Sequence, residues 1–192
     1  MHCTLTRADG AFVHTNLTLS PTRYSHTALG GPDAAEIAVT GDKNALSDVL
    51  TWLNCRVVIH NSAGLPVWWG LVQAAAVTLD GVEYGLDASQ IVNRMAVVYS
   101  DEAGNPAQTT WVEDAHSVAL YGRREMRMSA LATNGTTALA QATRTVNERS
   151  PPLRSVASGG GETAVLVAGT SPTGQVYRSV DGGCTPVTIM EW

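Results

Sequence analysis

Arg56-Val-Val-Ile-His60, Asn61-Ser-Ala-Gly64 and Leu65-Pro-Val-Trp-Trp-Gly-Leu-Val72 follow one another without a break, and their reading decides the fold. The first run is rich in β-branched residues, the second is a turn cluster, and the third returns as a strand, which together spell a β-hairpin. A second hairpin follows at once. Ala76-Val-Thr-Leu79 meets Asp80-Gly81 and comes back as Val82-Glu-Tyr-Gly-Leu86, and Asp-Gly between alternating apolar runs is a strong short-range hairpin signal.

Upstream, Leu17 and Leu19 alternate with Thr18 and Ser20, and Glu36-Ile-Ala-Val-Thr-Gly41 reads as a short strand. Asp42 is a good N-cap for an amphipathic helix of roughly three turns carrying Leu46, Val49, Leu50 and Leu53. Downstream, Ile91 to Tyr99 continues the strand pattern, and Asp101 to Pro106 is a polar loop. The texture then becomes helical. Glu113 to Tyr121 ends at a C-cap glycine, Gly122, and a second helix is capped by Thr136 or Thr137 and stops by Ser150, before Pro151-Pro152. Residues 153–162 read as a linker around Gly159-Gly-Gly161, followed by strands at 163–168, 175–179 and 187–190.

The expected fold is therefore α+β and mainly β, built on a small antiparallel β-barrel with one inserted helix. Residues 1–100 form the barrel, 101–155 a short helical region, and 156–192 the linker with a C-terminal β-hairpin appendage. On this reading, removal of residues 159–192 leaves the barrel folded.

Charge and cysteine usage narrow the function. Among 192 residues, Lys+Arg number 12 against 17 Asp+Glu, a net charge of -5 with a single lysine, Lys43, so nucleic-acid binding is not the expected main role. The three cysteines (Cys3, Cys55 and Cys184) contain no Cys-x-x-Cys pair and are expected to be reduced, structural thiols. The N-terminal run has no apolar signal core, and the apolar stretch from Leu65 to Leu79 is shorter than the ~20 residues of a membrane span. We thus expect a soluble protein made in a reducing cytoplasm, without membrane insertion.

No catalytic constellation emerges. Asp101-Glu102 and Glu113-Asp114 are adjacent carboxylates of a loop and a helix start, and the histidines lack metal-binding spacing. Arg123, Arg124 and Arg127 lie just past a helix C-terminus, where cations are stabilised anyway, and read as structural or interface residues. We expect no enzyme, no cofactor and no metal. Trp68-Trp69 is the most conspicuous pair. On a strand its indoles point to opposite faces, one into the core and one to a second surface, and both are candidate subunit-contact residues.

The run Ala28-Leu-Gly-Gly-Pro-Asp-Ala-Ala-Glu-Ile-Ala-Val-Thr-Gly41, with residues 50–59 and 65–72, resembles tail and baseplate proteins of tailed bacteriophages. Its order of strand, helix and hairpin is similar to the first barrel of tail hub proteins, and Asp114-Ala-His-Ser-Val-Ala-Leu-Tyr-Gly-Arg123 looks like the helix that follows that barrel. The likeness covers about residues 25–155. It implies a virion component of the tail tip or baseplate, one that forms a homo-oligomeric ring such as a trimer or hexamer and docks other tail proteins. A complete hub holds a second barrel, for which this chain is too short. Near the C-terminus, Ser179, Asp181, Gly183 and Thr185 resemble the Asp-box hairpin of sialidase-like propellers, with Pro186 where tryptophan is expected. In those families the box is a fold element, and one hairpin cannot supply a propeller of ~4–8 blades. The alternative expectation is a carbohydrate-binding or adhesin module that uses the tryptophans and this hairpin.

Overall fold

Strands dominate the chain, with few helices. The computed structural model describes residues 1–27, 31–132 and 134–169, with the backbone of Val176–Val180 and Gly183–Val187. The chain's contacts divide it into two units. One is Met1–Ser89 with the segment from Pro152; the other is Gln90–Pro151 with the strands beyond Pro172. The sequence reading set its divisions near residues 100 and 155 instead.

The first unit opens with β1 (His2–Thr6), β2 (Thr18–His26), β3 (Pro32–Thr40), α1 (Lys43–Leu46), β4 (Arg56–His60), β5 (Pro66–Leu79) and β6 (Val82–Asp87). In the second unit come β7 (Arg94–Ser100), β8 (Pro106–Gln108), β9 (Val112–Glu113), α2 (Ala115–Tyr121), β10 (Glu125–Ser129) and α3 (Gly135–Arg149). The chain then returns to the first unit for β11 (Leu153–Ser158) and β12 (Thr163–Gly169), and β13 (Val176–Val180) and β14 (Gly183–Val187) complete the second.

The first unit is one curled antiparallel sheet in the order β1-β4-β5-β12-β3-β2. β5 is long enough to pair β4 along its first half and β6 along its second, and β11 extends the sheet beyond β6. Alternation selects the inner face: Ala35, Ile37 and Val39, then Val57 and Ile59, then Ala164, Leu166 and Ala168 are all buried. Asp80 and Gly81 both take positive φ (51° and 77°), the geometry a two-residue hairpin needs.

The expected three-turn helix is instead one α-turn followed by a 3-10 segment, Ser47–Trp52. Asp42 caps it by accepting from the Asn44 N–H, while the Ser47 and Thr51 hydroxyls donate back to the Asn44 and Asp48 carbonyls. Such local bonds compete with the α-helical ladder. Tightening to three residues per turn aligns Leu46, Val49 and Trp52 on one stripe, and all three are buried.

Residues 153–162 are not a linker. Residues 153–158 are β11, and residues 163–169 lie inside the sheet as β12 rather than in an appendage. The glycines misled because they serve close approach: Gly159 N–H donates to Gly81 C=O at 2.9 Å, and a Cβ at Gly159 would run into Thr78.

In the second unit, β7 pairs β10 in parallel and β8 and β9 antiparallel, with β13 parallel to β10 and β14 beyond it. Helix α3 lays Ala138, Ala142 and Val146, four residues apart, against Met95, Val97 and Met126. Its N-cap is Asn134, which accepts from the Thr137 N–H, in place of the expected Thr136 or Thr137. α2 is capped by Asp114, and its C-cap is Gly122 at φ 71°. Glu113 belongs to β9 rather than to the helix.

Candidate interaction surface

Strand β5 separates the two indoles as alternation requires. Trp68 is 1% exposed and fills the core, where its Nε1–H donates to the Ser25 carbonyl at 3.1 Å. It is therefore no free contact surface. Trp69 points outward at 49% exposure, with the Arg56 guanidinium 5.6 Å from its ring centroid. Gly70 lets the strand sit close to its neighbour, since a Cβ there would lie 2.9 Å from the Gly169 carbonyl oxygen.

The outer face around Trp69 combines apolar side chains with the Arg56 guanidinium. Val58 stands opposite it on β4, and Leu71 lies two residues along β5. On β12, Leu166 faces inward, so Val165 and the exposed Val167 face outward. These side chains share the outer side of the sheet, where Arg56 stands opposite Leu71 and Val167 lies farther along, between Ala74 and Glu36. β1 and β2 end the main strand path, and β2 carries Pro21 and two register shifts, devices that discourage uncontrolled edge pairing. All six residues of β11 are exposed.

The other sequence candidates are placed separately. Ser179, Gly183 and Thr185 sit on the paired backbone of β13 and β14, while Asp181 lies outside the described residues. Arg123, Arg124 and Arg127 do not converge. Arg123 lies 3.9 Å from both Glu113 and Glu125, Arg127 stacks on Trp111, and Arg124 is buried. Asp101 accepts from the Ala103 and Asn105 N–H groups, and Asp114 caps α2, which lowers its carboxyl pKa through the Ser117 N–H. Both carboxylates are thus committed to local backbone.

One cluster has no local signature in the sequence. Asn93 is fully buried; its Nδ2 donates to the Gly122 carbonyl and the Ser117 hydroxyl, and its Oδ1 accepts from the Arg124 N–H at 2.7 Å. The Ser117 hydroxyl donates in turn to the Ser150 carbonyl at 2.7 Å, so its proton is held by an amide rather than by a base. This arrangement ties β7, α2 and the end of α3 together and activates no nucleophile. Arg124 Nη1 and Nη2 are buried without hydrogen-bond partners among the described residues, and desolvation lowers the guanidinium pKa. Replacing Asn93 by Leu strands a buried N–H and a buried carbonyl, at about 1–3 kcal/mol each. Urea unfolding should then show the second unit destabilised by at least ~2 kcal/mol.

Burial raises the Cys3 thiol to about 11 and also raises that of Cys55, so both are poor thiolates. No helix among the described residues is long and apolar enough to cross a membrane. No family model, curated protein or solved structure matches this chain.

Proposed function

We propose that this chain is a hub-like structural component of a bacteriophage tail tip or baseplate, assembling with copies of itself into a ring in the virion and docking other tail proteins. The observation that carries the assembly reading is the outward Trp69, half exposed opposite Val58 on the outer face of the sheet. A large aromatic left half in solvent gains favourable burial when a partner covers it. The tail assignment rests on the resemblance of residues 28–41, 50–59, 65–72 and 114–123 to tail and baseplate proteins.

Size-exclusion chromatography with light scattering over a wide concentration range tests the reading. A discrete species several times 20.2 kDa supports it. A strict monomer at every concentration overturns self-assembly. Saturable quenching of tryptophan fluorescence by glycans would instead make the Trp69 face a carbohydrate-binding surface.

A further inference from the structure

β11 pairs β6 on one side, and among the described residues no strand lies on its other side. All six of its residues are exposed, so nothing covers this edge. The ladder fixes which backbone groups the edge presents. Gly159 N–H donates to the Gly81 carbonyl at 2.9 Å, one step beyond the Ser158–Val82 pair. Bonded and non-bonded pairs alternate in an antiparallel ladder. Leu153, Ser155 and Ala157 therefore bond to β6, and the N–H and C=O groups of Arg154, Val156 and Ser158 point to the open edge. The neighbouring hairpin agrees. Leu79–Val82 closes its two-residue turn as a bonded pair, so Val82, Tyr84 and Leu86 bond to β5 and leave Glu83, Gly85 and Asp87 for β11. Unlike β2, β11 carries neither a proline nor a register shift to blunt its edge.

We propose that this edge pairs with the β11 edge of a second copy, antiparallel about a two-fold axis at Val156, as a contact separate from the Trp69 face. In that register Val156 meets Val156 and Arg154 meets Ser158, so every outward N–H and C=O of the strand finds a partner. Sliding by two residues one way sets Pro152, which has no N–H, opposite Ser158; sliding the other way sets Arg154 opposite Gly160, past the end of the strand. The side chains fit the same register. Val156, 70% exposed, stands opposite Tyr84, which stands opposite the buried Val77. Pairing joins this apolar row to its equivalent in the second copy and covers side chains that each chain leaves in solvent. Arg154, the strand's one charge, faces Ser158, so like charges are not opposed. Two short edges make a small interface, and such a contact is weak on its own, formed at millimolar rather than micromolar concentration.

Amide hydrogen exchange of the full chain in dilute and in concentrated solution tests the pairing. Arg154, Val156 and Ser158 should exchange at least threefold more slowly in concentrated solution, while Leu153, Ser155 and Ala157 are protected in both. Val156→Pro removes an N–H that the chain's own ladder does not use, so the fold stays and the concentration dependence disappears. Val156→Lys opposes two ammonium groups at the axis and should act alike at low salt. Trp69→Ala should retain the slowing, which separates this contact from assembly through the Trp69 face. Exchange that is independent of concentration at Arg154, Val156 and Ser158 overturns the pairing, and so does slowing that survives Val156→Pro. Slowing that an unrelated extended peptide produces, and the chain itself does not, overturns it in favour of a strand from another protein.

Discussion

A chain ended at Ser158 will lose the cooperative unfolding transition of the first unit. The lost segment holds β12, which pairs β5 on one side from Thr163 to Gly169 and β3 on the other from Ala164 to Gly169. Without it two interior strands become edges and their backbone groups lose partners along the whole ladder. The inner face also loses Ala164, Leu166 and Ala168, which pack among Ile37, Val39, Val72 and Val77. Truncating Leu166 alone to Ala costs about 2–5 kcal/mol. Losing the strand exceeds that, and a domain has only ~5–15 kcal/mol in total. A chain ended at Gly169 is the control, because it keeps β12. Trp52 and Trp68 fluorescence in urea reports on this unit, since both indoles are buried there. A chain ended at Ser158 that unfolds with the full-length midpoint would remove β12 from the centre of the sheet.

This result reverses the expectation from sequence, and the reason is physical. Local signals were legible wherever partners are close along the chain: the β4–β5 and β5–β6 hairpins, the Asp80-Gly81 turn, the Gly122 C-cap of α2 and the end of α3 before Pro151-Pro152. Strand partners far apart were not. β12 joins β5 and β3 across long separations, and its flanking Pro151-Pro152 and Gly159 to Gly161 carry the composition of a linker. The chain leaves the sheet after β6 and re-enters beside it as β11, with Asp87 opposite Leu153, so a long excursion hides between neighbouring strands. The candidate surface follows the same division. Alternation separates Trp68 from Trp69, because that rule is local. Asn93 has no such signal: it stands between Val92 and Arg94 in an ordinary strand entry, and its partners Ser117, Gly122 and Arg124 come from later elements.

The two tryptophans give the second large effect, and they should answer in opposite ways. Trp68→Ala removes a wholly buried indole and leaves the Ser25 carbonyl without its donor. A loss of about 3–5 kcal/mol in the stability of the first unit is expected, as for other core Trp→Ala changes. Oligomer formation then falls only as far as the folded population falls. Trp69→Ala removes a ring that is half in solvent and that carries the Arg56 stack, worth roughly 0.5–1 kcal/mol at an exposed site. Its unfolding midpoint should stay close to that of the parent chain while the light-scattering oligomer disappears. Central aromatic anchors of an interface commonly cost 2 kcal/mol or more when truncated, about thirtyfold in affinity. Should Trp69→Ala assemble normally, the outer face at Trp69 and Val58 is not the contact surface, and the exposed strand β11 becomes the next edge to block. Should it cost as much stability as Trp68→Ala, the outward face is itself packed, and the orientation of β5 is the assignment that fails.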